Sequence, residues 1–252
     1  MRKTVLITGA TSGFGAAMAR RFASAGCNLI LTGRRNDRLQ SLKQELETKN
    51  ECAVLTCCFD IRRKEECFSA INSLNGQWKS IDILINNAGL AAGRDHFDQA
   101  SLDDWETMID TNVKGLLYIS KAVIPLMTKS PCPHIINMGS IAGKEVYEKG
   151  NVYCATKSAV DALSQSMRID LLKYNIKVTA VHPGAAETEF SLVRFKGDQE
   201  AASKIYEGYT PLSAEDVAEV AYYVTTLPLH VCINDIVITP TAQACSFYYN
   251  RK

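Results

Sequence analysis

The sequence is short of strong local signals, and each absence excludes something. No apolar run reaches the ~18 residues that mark a membrane-spanning helix, so no membrane partner is expected. The formal net charge is +1 over 252 residues. That leaves no field to steer nucleic acid or an anionic surface. Cysteines number nine, an odd count. None forms a Cys-x-x-Cys pair and none stands with His at zinc-ligand spacing, so no structural metal is expected. Cys57 and Cys58 adjoin in a strand pattern and point to opposite faces. The nine read as reduced thiols in a reducing compartment, the cytoplasm. The N-terminus, MRKTVLITGA, runs straight into a strand pattern and lacks the apolar core of a signal peptide. Without a linker, repeat or low-complexity segment, residues 1–252 read as one domain.

What is present is regular alternation. Apolar runs at 4–7, 28–32, 53–59, 81–85, 134–138, 176–182 and 235–239 read as strands. Helical patterns separate them: 37–49, a start near Arg63, two over 102–129 meeting at Thr111-Asn112, one long helix over 151–172, and 216–226 capped near Ser213. Short connections between alternating strands and helices make βαβ units. The fold class is therefore α/β, a doubly wound parallel sheet with helices on both faces, three layers in all. Residues 185–212 carry no strong period and read as a lid with one or two short helices. The tail, 240–252, is too short for a domain.

Chemistry concentrates at the strand ends. After the first strand comes TGATSGFG, with Gly9, Gly13 and Gly15 around Thr11, Ser12 and Phe14. Glycines there allow a tight turn and close approach of a phosphate to a helix N-terminus. In a dinucleotide site, an acid ending the second strand would bind the 2′-hydroxyl of NAD. Here Gly33 is followed by Arg34 and Arg35, which suit the 2′-phosphate of NADP. Asp60-Ile61 ends the third strand, where Asp60 could accept from adenine or cap the next helix. Asn87-Ala88-Gly89 follows the fourth, lining the ligand crevice. Asn112 falls in a helical pattern, where Asn is unfavourable unless its side chain has a task.

Tyr153 and Lys157, at i and i+4 of the long helix, share one face. An ammonium beside a phenol favours phenolate, so the Tyr153 pKa is expected to fall towards neutrality and make it a general acid or base.

Together these residues carry a resemblance. TGATSGFG, the Asn-Asn-Ala-Gly run, Asn112, Ser140, Tyr153, Lys157 and Pro183-Gly184 occur in order, and the chain resembles the short-chain dehydrogenase/reductase family over essentially its whole length. The resemblance implies a seven-stranded Rossmann sheet, a homotetramer, and a catalytic tetrad of Asn112, Ser140, Tyr153 and Lys157. It implies a cofactor site that also takes in Pro183, Gly184, Ala186 and Thr188. Ser140 would orient the substrate oxygen and Tyr153 would move its proton. Lys157 would bind the nicotinamide ribose, and Asn112 would hold a water in a proton relay. A narrower resemblance, in GRRNDRLQSL, DDWETMIDTNVKGLLY, ETEFSLVRFKGD and LPLHVCIND, is to NADP-dependent 3-hydroxy acid dehydrogenases acting on serine, L-allo-threonine or 3-hydroxypropionate. Two features depart from that pattern: Ala185-Ala186 beside the nicotinamide site, and the charged pair Lys144-Glu145. The small-molecule substrate contacts would be Ser140, Tyr147 and Arg194; Arg194 offers a carboxylate its bidentate fork, with Lys196 a lesser candidate. Glu145 would repel an anion and is expected to point away. The scaffold also suits a reductase of another carbonyl class or a non-catalytic NADP sensor. A sensor has no use for a complete tetrad.

Overall fold

A computed structural model describes residues 2–252. Its sheet has strands β1 (Thr4–Ile7), β2 (Asn28–Gly33), β3 (Val54–Cys58), β4 (Ile83–Asn86), β5 (His134–Met138), β6 (Lys177–Pro183) and β7 (Asp235–Ile238). They pair in parallel in the order β3-β2-β1-β4-β5-β6-β7. The order reverses between β1 and β4, and a ligand crevice opens beyond the strand ends at such a reversal. This is the expected seven-stranded Rossmann architecture.

Strand alternation divides the core. Val5, Ile7, Leu29, Leu31, Ile83 and Ile85 face α1 (Gly13–Ser24), α2 (Asn36–Lys49) and α9 (Ala214–Thr226). Leu6, Ile30, Leu84 and Ile135 face the other layer, with α3 (Lys64–Asn72) and α5 (Leu116–Met127). Both faces are covered, which is why the central strands read as continuous apolar runs. The remaining helices are α4 (Leu102–Ile109), α6 (Asn151–Asp170), α7 (Glu189–Arg194) and α8 (Gln199–Lys204).

The structure refines the expected elements in three places. Between α4 and α5 the chain makes a π-helical turn over Asp110–Gly115. Such turns reshape a helix locally, and this one holds Asn112. Helix α6 ends at Asp170, short of residue 172; a 3₁₀ turn, Leu172–Tyr174, then leads into left-handed Asn175. The tail forms a small antiparallel hairpin of β8 (Gln243–Cys245) and β9 (Tyr248–Tyr249). Among the described residues, no helix is long and apolar enough to cross a membrane.

Ser213 caps α9 as expected. Its Oγ accepts from the Asp216 N–H at 3.1 Å, and Asp216 Oδ2 accepts from the Ser213 N–H at 2.8 Å, a capping box. Ser213→Ala removes the first bond and should lower stability by about 1 kcal/mol. Chemical denaturation would measure it, and an unchanged midpoint would show that packing of α9 on α1 carries the helix start alone.

Candidate active site

The glycine loop is shaped by close approach. Gly9 has φ +65°, and a Cβ there would lie 2.9 Å from the Ala88 Cα. A side chain on Gly15 would run into the Gly9 carbonyl, so Gly15 sits beneath the loop. Asn87 Nδ2 donates to the Thr8 and Gly9 carbonyls at 2.8 and 3.2 Å. Thr8 Oγ1 accepts from the Asn87 and Ala88 N–H groups. The loops after β1 and β4 are thus one unit. Ser12 precedes α1 without capping it; its Oγ accepts from Arg35 instead. The first N–H groups of α1 keep their dipole for an anion.

This unit frames a cleft of about 540 Å³. Lining it are Gly9, Thr11, Ser12, Gly13, Phe14, Arg34, Arg35, Asp60, Ile61, Asn87, Ala88, Gly89, Tyr153, Lys157 and Thr188. Pro183, Gly184 and Ala186 line the adjoining cleft. Arg34 is exposed at the rim, while Arg35 is half-buried against Thr11 and Ser12. Arg38 joins them unforeseen: Glu189 of α7 pairs with Arg35 at 3.1 Å and with Arg38 at 2.7 Å. Asp60 does not cap α3. Its carboxylate is gripped by Arg62 at 2.6 Å, which holds its pKa below the usual range. Glycine cradle, helix end and arginine rim fit a phosphorylated dinucleotide.

Tyr153 is buried at the junction of the two clefts, with the Phe190 ring 5.6 Å away. Ser140 Oγ accepts from the Ala142 N–H at 3.1 Å. Asn112 clamps the loop after β4: Oδ1 accepts from the Leu90 N–H, while Nδ2 donates to the Leu90 carbonyl and Thr156 Oγ1. That clamp is the task that places Asn in a helical stretch.

The second cleft, about 910 Å³, lies between Ser140, the 185–212 segment and the tail. Arg194 lies in it, 8% exposed. Its guanidinium carbon is 5.5 Å from the Tyr147 ring centre and 5.6 Å from that of Tyr153. Nη1 donates to the Tyr147 hydroxyl at 2.8 Å and Nε to the Gly93 carbonyl at 3.4 Å. Among the described residues, no carboxylate neutralises it. Lys196 instead pairs with Asp104 at 2.9 Å, outside the cleft lining.

The profile of the family described as short chain dehydrogenase matches residues 3–198. This chain belongs to the short-chain dehydrogenase family. It is 48% identical over 241 residues to NADP-dependent 3-hydroxy acid dehydrogenase YdfG of Escherichia coli K12, covering 95% of this chain and 96% of that one. It is 46% identical over 249 residues to sulfoacetaldehyde reductase 2 of Chromohalobacter salexigens, covering 98% of each. Among solved structures it resembles the closed form of serine dehydrogenase complexed with NADP+, at 45% identity, 99% coverage of both chains and a TM-score of 0.91.

Within this family site, one expectation is reversed, and one element besides Arg38 was not foreseen. The Tyr153 phenol is not lowered. Burial pushes its pKa up, Tyr147 adds to the rise, and Ser140 and Arg194 offset only part. Lys157 Nζ lies 6.0 Å from the Tyr153 ring centre and donates to the Met138 carbonyl at 2.8 Å. Helical spacing places the two residues on one face; it says nothing about how deeply that face is buried. The unforeseen element is the tail. Gln243 is buried, accepting from the Ala185 N–H at 2.8 Å and donating to Cys245 and Tyr249. Tyr249 and Arg251 line the second cleft with Arg94. The only hint in the sequence was the density of aromatics in SFYYNRK. Glu145 points away from the cleft as expected, accepting from the Ser246 N–H at 2.7 Å.

Burial lowers the Lys157 pKa from 10.5 to about 8. The unfolded chain therefore holds this proton more tightly than the folded one. The group opposes folding fully below pH 8, less as pH rises from 8 to 10.5, and not at all above. Lys157→Met should accordingly stabilise the protein at neutral pH without added nucleotide, by up to ~3 kcal/mol. The gain should shrink near pH 10.5. Denaturation at both pH values checks this; a variant less stable at neutral pH would mean that the Met138 hydrogen bond outweighs the desolvation of the ammonium.

Proposed function

We propose that this chain is an NADP(H)-dependent oxidoreductase that interconverts a small 3-hydroxy acid, of the serine, L-allo-threonine or 3-hydroxypropionate type, with its 3-oxo partner. One observation carries the reading: the buried Arg194 guanidinium, flanked by the rings of Tyr147 and Tyr153, has no carboxylate partner in the described protein. A charge buried in that way calls for an anion from outside. Its place beside Tyr153 sets that anion a short chain length from the reacting alcohol. The names of the relatives cited above, a 3-hydroxy acid dehydrogenase and a sulfoacetaldehyde reductase, share this pattern of an anionic head near a carbonyl or hydroxyl carbon.

NADP, held by the glycine cradle, the α1 N-terminus and the Arg34–Arg35 rim, supplies the hydride chemistry when bound. The chain's own residues handle the proton and the geometry. Ser140 orients the substrate oxygen. Tyr153 gives that oxygen its proton in reduction and takes it back in oxidation; burial holds the phenol in the proton-donating form. Lys157, its ammonium at the Met138 carbonyl in the wall of the same cleft, is placed for the ribose. Asn112 fixes the loop that forms the cleft floor. The 185–212 segment acts as a lid that carries Arg194 onto the substrate. A reducing compartment such as the cytoplasm suits nine free cysteines.

The test of this reading compares a 3-hydroxy acid with its methyl ester. In the wild type the ester should lose roughly ten- to hundredfold in kcat/KM, the worth of one charge-assisted hydrogen bond. In Arg194→Ala the two substrates should differ little. Equal penalties in both proteins would remove Arg194 from the reading. Replacing the carboxylate by a sulfonate tests whether the site reads either oxyanion.

A homotetramer is proposed with it. Leu102 and Ile109 of α4, Leu117 of α5 and Ile169 of α6 leave large apolar side chains exposed on neighbouring helices. Light scattering at micromolar concentration should give a mass near four times 27.7 kDa. A mass of one chain would reject it.

A further inference from the structure

His182, in β6 beside Pro183-Gly184, is fully buried and has no part in the mechanism above. Its ring packs so closely under Gly139 that any side chain there would collide with it. Nδ1 lies 3.2 Å from the Ser140 carbonyl oxygen. A carbonyl only accepts, so this contact is a hydrogen bond when Nδ1 carries a proton, as in the charged ring and in the Nδ1–H tautomer of the neutral one. On its far side Nε2 has no hydrogen-bond partner among the described residues and faces Asp235 Oδ2 at 3.4 Å and Asp161 Oδ1 at 3.6 Å. Lys144 Nζ already bridges those two carboxylates, at 3.0 Å to Asp161 and 2.5 Å to Asp235. The trio of Asp161, His182 and Asp235 has the donor set of a metal site, but this ammonium takes the cation's place.

The cluster has a different consequence. Ser140 opens a 3₁₀ turn, Ile141–Gly143, which ends at Lys144. The turn is held at both ends: His182 at the Ser140 carbonyl, and Lys144 tied to α6 through Asp161 and to β7 through Asp235. The direction of the Ser140 hydroxyl depends on this turn, because its Oγ accepts from the Ala142 N–H within it. We infer that His182 is a positioning residue for the reaction: by donating from Nδ1 to the Ser140 carbonyl, it fixes where the Ser140 hydroxyl stands, and the Lys144–Asp161–Asp235 cluster anchors the other end of the same turn. Lys144, out of place in the family pattern, thereby gains a task. The inference rests on the reading that Ser140 orients the substrate.

Two amide variants separate positioning from packing. In His182→Asn the side-chain N–H can stand near the Nδ1 position and still reach Ser140. In His182→Gln it stands near Nε2 and cannot. With 3-hydroxypropionate and NADP, His182→Gln should lose about tenfold in kcat while NADPH affinity, read by fluorescence titration, changes less than about twofold. His182→Asn should retain most of the kcat. Ser140→Ala supplies the second arm. If His182 acts through Ser140, adding His182→Gln to Ser140→Ala should lower kcat by less than about twofold further. Equal kcat in the Asn and Gln variants, or an undiminished loss in the Ser140→Ala background, would overturn the inference and leave His182 a packing residue. Wild-type kcat in Ser140→Ala alone would instead remove the role of Ser140, and this inference with it.

Discussion

A buried ammonium and a buried guanidinium stand at the same end of the sheet, and among the described residues no carboxylate neutralises either. Lys157 has one main-chain carbonyl; Arg194 has a phenol, a carbonyl and two aromatic faces. Desolvating cations in this way opposes folding, as the depressed Lys157 pKa records. The rest of the structure tolerates it because two apolar layers cover the sheet. The charge left uncompensated is what an anionic cofactor and an anionic substrate would meet.

Holding such groups in place demands rigid surroundings, and polar clamps supply them. Thr8 and Asn87 lock the loops after β1 and β4 together. Asn112, within the π-helical turn, uses both its amide oxygen and its amide nitrogen, on Leu90 and Thr156. Gln243 ties the tail to the chain after Gly184. Each clamp joins segments far apart in sequence, so the site is a meeting of loops that no single stretch could build.

Helix α7 links the two halves of the site. Glu189 at its start reaches Arg35 and Arg38 at the rim of the first cleft, Phe190 packs on Tyr153, and Arg194 at its end lies in the second cleft. One short element thus joins the arginine rim, the buried Tyr153 and the buried Arg194. A change in the angle of this helix would alter all three contacts at once.

The sequence by itself determined the sheet, because both faces are buried and apolar runs between helical patterns admit few other arrangements. It also determined the glycine cradle, since Gly9 and Gly15 stand where a Cβ meets backbone. The arginines after β2 and the shared face of Tyr153 and Lys157 follow from local spacing in the same way. Tertiary structure alone decided the rest. Whether Lys157 lowers the Tyr153 pKa depends on burial and on the competing Met138 carbonyl, neither of which helical periodicity contains. Arg94 and the tail reach the second cleft through chain crossings that no motif encodes, and Arg38 meets Glu189 in the same way. His182 and Lys144 read locally as a strand residue and a loop charge. Only the packing of β6, β7 and α6 around the Ser140 turn gives them partners, because burial and long-range contact are properties of the whole chain.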